Sequence, residues 1–240
     1  MLLNKLKYLL LILITMLASC SSSQEELLIA AKAKMEKQNY AEAIEYVDKA
    51  IAKNNTNATA YNLRGVAHFL LKDYTQATKD LSAAIRLDST IYKPYYNRGN
   101  VYLEQQQFEK ALLDYNQAIK KSPNQADLYI NRAIVLYELK QFDAAMLDND
   151  FAIRLAPANH LSYLNKGKTL VKLGNFSGAK EMLSKVIKIN DQIGEAHYWL
   201  GFININAGEK QLGCDYLTKA KNRGFEEAQE ALEKFCSEAI

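Results

Sequence analysis

The chain has 240 residues, 49% of them hydrophobic and 24% charged, with 30 basic against 27 acidic side chains. That is the composition of a folded chain with a sizeable apolar core. A formal charge of only +3, with no run of basic residues, excludes the electrostatic footprint expected of a nucleic-acid binder.

The first segment in chain order stands apart from the rest. MLLNKLK carries two lysines and no acid, residues 8–17 (YLLLILITML) are apolar, and Ala18, Ser19 and Cys20 are small. A basic start, a short apolar core and a small-residue end read as a secretory signal peptide. Its apolar run is well short of the roughly 20 residues that cross a bilayer. Residues 1–19 are therefore set aside as a cleaved leader, and residues 20–23 as a tether. Leu17-Ala18-Ser19-Cys20 resembles the lipobox of bacterial lipoproteins. The resemblance implies cleavage before Cys20, a diacylglycerol thioether on its sulfur and an acylated amino terminus. Two or more acyl chains hold a protein on a membrane where one does so only marginally. Ordinary secretion, with the cysteine there by chance, is the alternative. Without the two leader lysines the balance is 28 basic to 27 acidic residues.

From residue 24 onward the chain repeats with a period of 34. Similar segments begin at Tyr61, Tyr95, Tyr129 and Tyr163. One column of small residues runs Ala31, Gly65, Gly99, Ala133, Gly167, Gly201, and a second runs Ala43, Ala77, Ala111, Ala145, Ala179, Gly213. Aromatics recur at Tyr40, Tyr74, Phe108, Phe142 and Phe176, and Pro123 and Pro157 close two repeats. Apolar spacing of three and four within each repeat predicts two helices. Small columns let those helices approach, the aromatic fills the corner between them, and proline stops the second. Asp73, Gln107, Gln141 and Asn175, just before the second helices, suit turns or caps. Asn149 stands where other repeats have Leu81, Tyr115 and Leu183, and the sequence gives no reason beyond looser local packing.

This pattern resembles the tetratricopeptide (TPR) repeat. The resemblance covers six repeats, at about 24–57, 58–91, 92–125, 126–159, 160–193 and 194–227, and is weakest in the first and last. It implies an all-α, right-handed α-solenoid of about six TPR helix hairpins. Residues 228–240 read as a capping helix and tail. Cys214 falls on the second helix of the sixth repeat and Cys236 on the cap. Counted outward from the turn at Gly224, they stand at similar height on antiparallel helices. An even pair in an exported protein suggests a disulfide, worth about 3 kcal/mol for a loop of about 20 residues. Two buried thiols remain the alternative.

No catalytic or metal chemistry assembles in the sequence. His68, His160 and His197 are far apart, and His197 occupies a column otherwise held by tyrosine. There is no paired-cysteine zinc motif and no phosphate-binding glycine loop. The expectation is a non-enzymatic protein without cofactor or metal.

In the TPR family the first helix of each repeat lines a concave groove. Carried over by position, that places Tyr96, Asn97, Asn100, Ile130, Asn131, Leu164, Asn165, Lys168, Tyr198 and Trp199 in a partner-binding groove. Asn97, Asn131 and Asn165 form a column that Trp199 extends. Their amides can serve a peptide backbone, or can tie neighbouring helices together. Trp199 is either a partner anchor or a core residue. Some TPR domains clamp a chaperone's carboxy terminus; Asn100 and Asn131 match two of that clamp's positions, but Tyr96, Leu161 and Asn165 hold its basic ones, so it is rejected. Lys93, Lys168 and Lys172 balance Glu104, Asp127 and Glu138, which predicts weak salt dependence. The seven steps from Cys20 to Leu27 reach about 25 Å, so a lipid-held chain keeps its first repeat at the membrane. The expected function is an adaptor or scaffold of the bacterial cell envelope, lipid-anchored on the outside of the inner membrane or, in preference, on the outer membrane facing the periplasm. It would hold a peptide or helix of another envelope protein; the resemblance extends to bacterial TPR lipoproteins of similar size that act as pilotins or adaptors for envelope machinery. The alternative is a glycan- or peptidoglycan-binding module built on Tyr96, Tyr198 and Trp199.

Overall fold

The computed structural model describes residues 22–237; the leader and Cys20 lie outside them. Among the described residues there are thirteen α-helices and no strand. Six hairpins follow one another: α1 (Gln24–Glu36) with α2 (Tyr40–Lys53), α3 (Ala58–Leu70) with α4 (Tyr74–Leu87), and α5 (Tyr92–Glu104) with α6 (Phe108–Lys121). Then come α7 (Ala126–Glu138) with α8 (Phe142–Leu155), α9 (His160–Lys172) with α10 (Phe176–Ile189), and α11 (Gly194–Asn206) with α12 (Lys210–Asn222). A short α13 (Glu227–Phe235) closes the chain. The helices of the described residues group into two compact units that divide between Arg98 and Gly99. In the first, α1 packs on α2, α2 on α3 and α3 on α4. In the second, each helix from α6 to α13 packs on the next, and the first helices of successive hairpins also meet, α7 with α9 and α9 with α11.

Local chemistry accounts for each boundary. Ser23 opens α1 with a reciprocal capping box: its hydroxyl accepts from the Glu26 amide at 3.1 Å, and the Glu26 carboxylate accepts from the Ser23 amide at 2.8 Å. Asp73 and Asn175 cap α4 and α10 through their side-chain oxygens. Asn39, Gln107 and Gln141 occupy the same place without a side-chain cap. Every first helix ends on a left-handed residue at the same register: Gln38, Lys72, Gln106, Lys140, Gly174 and Gly208. The following amide then bonds back five residues, as Asp73 does to the His68 carbonyl at 2.9 Å.

Second helices end in two ways. Pro123 and Pro157 force the extended residues Ser122 and Ala156 in two repeats. Elsewhere Asn54, Asp88 and Asn190 adopt a similar extended backbone, with side chains accepting from the amide two residues on. One turn is thus written in proline or in Asx chemistry.

Small columns set the helix spacing inside each hairpin. A Cβ built on Gly65 would lie 2.7 Å from Cγ of Leu81; on Gly99, 2.8 Å from the Tyr115 ring; on Gly167 and Gly201, 2.9 Å from Leu183 and Leu217. Glycine therefore lets a large side chain fill each hairpin's centre. The first and fourth hairpins have alanine there, Ala31 and Ala133, and they carry the smaller Val47 and Asn149 opposite. Asn149 is the volume complement of Ala133, which answers the question its sequence position raised. It is fully buried; its Nδ2 donates to the Ala145 carbonyl at 2.8 Å, and its Oδ1 has no partner.

An arginine–aspartate clamp, unremarked in the sequence, joins the helices of two hairpins. Arg64 grips Asp80 through two bonds of 2.7 Å, and Arg132 grips Asp148 at 2.7 and 2.6 Å. Both carboxylates are about as buried as the apolar core. Burial is tolerable because each carboxylate is matched by a bidentate guanidinium. At the end of the chain, Cys214 on α12 and Cys236 after α13 form a disulfide, with Cα atoms 5.7 Å apart.

Candidate functional site: the shared face of α7, α9 and α11

The first helices of the second unit meet side by side, so one face of each is shared along the row. Two of the asparagines in the recurring column are engaged with the hairpin before them. Asn97 donates to Asn62 at 2.9 Å within the first unit, and Asn131 donates to Asn100 at 2.9 Å within the second. Asn100 accepts a further bond from the Tyr115 hydroxyl at 2.7 Å. These amides do tie helices, the second of the two roles open to them.

Asn165 breaks the pattern, and the sequence says why. Asn97 finds its acceptor 35 positions back, at Asn62, and Asn131 finds its own 31 positions back, at Asn100; the residues at those two distances before Asn165 are Ile130 and Ile134, whose side chains accept nothing. The Nδ2 of Asn165 is consequently buried with no partner. It borders a small pocket of about 30 Å³ lined by Ala133, Ile134, Tyr137, Glu138, Asn165 and Lys168. A buried donor without an acceptor costs about 1–3 kcal/mol, which an incoming carbonyl would recover.

The pocket continues outward through charge and ring contacts. Lys168 places its Nζ 2.6 Å from the Glu195 carboxylate. Glu195 in turn accepts from the Trp199 indole at 3.3 Å. Trp199 meets Tyr198 and Phe202 edge to face, and Tyr198 packs on Phe225 at 5.0 Å between centroids. Trp199 is half-buried, its inner side packed on the core of α9–α11. Burial, reinforced by Glu138 and Glu195, raises the Tyr137 phenol above its ordinary value.

The other residues read from sequence fall in different places. Tyr96 and Asn97 belong to the first unit, whereas Asn100 and all later members belong to the second. Ile130 and Leu164 are only 2% and 5% exposed, so they serve packing between hairpins and present little side-chain surface. Sequence reasoning missed Tyr137 and Glu195. Glu195 could have been found, because it lies 34 residues after Leu161 in the column already followed through Asp127. Tyr137 follows no column of the carried-over groove. His197, in the tyrosine column, reproduces a tyrosine's bond: Nε2 lies 3.1 Å from the Asp191 carbonyl, as the Tyr129 hydroxyl lies 2.9 Å from that of Pro123. Among the described residues no group of His, Cys, Asp or Glu is arranged to hold a metal ion, and no helix is long and apolar enough to cross a membrane.

Comparison with known proteins agrees with the repeat geometry. The tetratricopeptide repeat family matches residues 30–90 and 161–193, and a TPR repeat description matches 99–140. No curated protein sequence matches. Among solved structures, YrrB, a TPR protein described as having an unusual peptide-binding site, is 22% identical, with a TM-score of 0.64 over 78% of this chain and 97% of its own. PilF of Pseudomonas aeruginosa is 17% identical, with a TM-score of 0.77 over 88% of this chain and 97% of its own. The Cut9 and Hcn1 assembly of the APC/C gives 0.79 at 15% identity, covering 96% of this chain and 46% of that one. At these identities the likeness is one of fold. With its 34-residue period, its paired helices and these matches, the chain belongs to the tetratricopeptide repeat family.

Proposed function

We propose that this protein is a non-enzymatic adaptor of the bacterial cell envelope, held to a membrane by acyl groups on Cys20 and gripping a segment of another envelope protein along α7, α9 and α11. The observation that carries the reading is the unpartnered amide of Asn165 beside the pocket of Ile134 and Tyr137. A peptide carbonyl is the commonest acceptor able to reach such a donor. Peptide binding in the similarly folded YrrB supports the reading. Lipid attachment is supported by the motif ending at Cys20. Helix α1 begins at Gln24, so an anchor at Cys20 leaves only a short tether.

The test is crosslinking in the cell envelope from positions on α7 and α9, with the unmodified protein and with Asn165→Leu, which keeps the volume and removes the donor. One protein crosslinked to the unmodified face and lost with the variant supports the adaptor. Retention on envelope polysaccharide, with no protein captured, replaces it by the glycan-binding reading. For the anchor, Cys20→Ser should abolish acyl labelling and leader processing; a labelled, processed variant refutes it.

A further inference from the structure

The outer end of the same face carries different chemistry. Around the Trp199 indole, Tyr198 stands at 5.5 Å and 82° and Phe202 at 5.9 Å and 78°. In each near-perpendicular pair the edge of one ring meets the face of the other, and all three rings are half-buried rather than sealed. An aromatic ring is negative on its face and positive at its edge, so ring faces favour a cation.

Carboxylates gather at the same place. Glu195 accepts from the Trp199 indole. Tyr198 packs on Phe225, which leads into α13, and Glu227 and Glu230 in the first turn of that helix add to burial in raising the Tyr198 phenol. Lys168 is held against Glu195. The sequence tally balanced Lys93, Lys168 and Lys172 against Glu104, Asp127 and Glu138 and included neither Glu195 nor the two glutamates of α13; with Lys168 matched by Glu195, Glu227 and Glu230 leave this end of the face more acidic than that tally allowed. Glu195 is already answered by Lys168, so an anionic partner segment would meet the two further carboxylates of Glu227 and Glu230.

We propose that Tyr198, Trp199 and Phe202 receive a cationic side chain, arginine before lysine, from the protein segment held along α7 and α9. Arginine is favoured because its planar guanidinium stacks on a ring while its N–H groups fork onto a neighbouring carboxylate. The inference rests on the adaptor reading and names the partner's chemistry at one end of its site.

Trp199 is the chain's single tryptophan among 15 tyrosines, so emission under tryptophan-selective excitation reports on this site alone. The probe is acetyl-Gly-Arg-Gly-amide titrated into the purified protein, beside its citrulline counterpart, which has the same shape without the charge. The expected result is a saturable change in emission with the arginine peptide, at about 10-fold or more higher affinity than citrulline. Glu195→Gln should weaken arginine binding about 3–10-fold with unchanged circular dichroism. Equal affinity for arginine and citrulline, or no saturable response to arginine, overturns the proposal. If a partner is still crosslinked to α7 and α9 in that case, the adaptor reading stands alone. Arginine selectivity with no crosslinked partner would do the reverse, supporting the cation site and removing the adaptor.

Discussion

The pairing of Ala133 with Asn149 makes a prediction that can be worked through in a double-mutant cycle. Leucine at position 149 would occupy the place that Leu81, Leu183 and Leu217 hold in their own hairpins. There, each leucine Cγ lies 2.7–2.9 Å from where a Cβ would sit on the facing glycine. At position 133 that Cβ is real. Asn149→Leu therefore removes a buried carbonyl that has no donor, a gain of about 1–3 kcal/mol. It also forces a methyl-on-methyl overlap costing about 1–3 kcal/mol. The single substitution should leave stability nearly unchanged. In an Ala133→Gly background the overlap disappears, and the same leucine should be worth about 1–3 kcal/mol more than in the parent. Asn149→Val, copying the Ala31–Val47 pairing, should stabilise alone by about 1–2 kcal/mol. The assay is urea unfolding, paired with hydrogen exchange of α7 and α8 amides, since repeat arrays can lose cooperativity. A coupling of zero, with leucine equally tolerated opposite alanine and glycine, would refute the volume argument.

Other outcomes follow from the buried charges and the chain end. Arg132→Met strands the buried Asp148 carboxylate and should cost about 3 kcal/mol or more, read as a lower urea midpoint. Removing Lys185, whose partner Glu181 is exposed, should leave that midpoint unchanged. Burial lowers the pKa of His197, and its Nδ1 is enclosed without an acceptor. Its folded pKa is depressed, so its contribution is present above the unfolded value of about 6.5 and is lost as pH falls below it. His197→Tyr, restoring the column residue, should flatten the fall in midpoint across that range. Reducing the Cys214–Cys236 bridge, which closes 22 residues of sequence separation, should cost the last hairpin about 3 kcal/mol. Exchange of α12 and α13 amides should quicken while α7 to α9 stay protected; uniform protection after reduction would show that the bridge contributes nothing.

Much of the fold was legible because a repeat averages out ambiguity. A single amphipathic run could be misread, but six copies at a 34-residue period leave one way to place the helices, corners and small columns. Glycine columns announced close approach, and Pro123 and Pro157 announced helix ends. Less was legible at the candidate site. Family register alone put Ile130 and Leu164 on the surface, whereas helix packing turns them inward. In the last repeat the register was taken up only from Tyr198 and so passed over Glu195.

By itself the sequence determined the period, the number of hairpins, the turns and the column chemistry, because these depend on neighbours three, four or 34 residues away. Only the tertiary structure decided which polar groups find one another. Whether Asn131 is tied and Asn165 left open depends on the residue that the preceding hairpin presents, Asn100 in one case and Ile134 in the other. Whether Lys168 is a free charge depends on Glu195 across the helix row. Hydrogen bonds and ion pairs are short-ranged and directional, so composition and spacing can nominate partners, but only packing brings the atoms within about 3 Å.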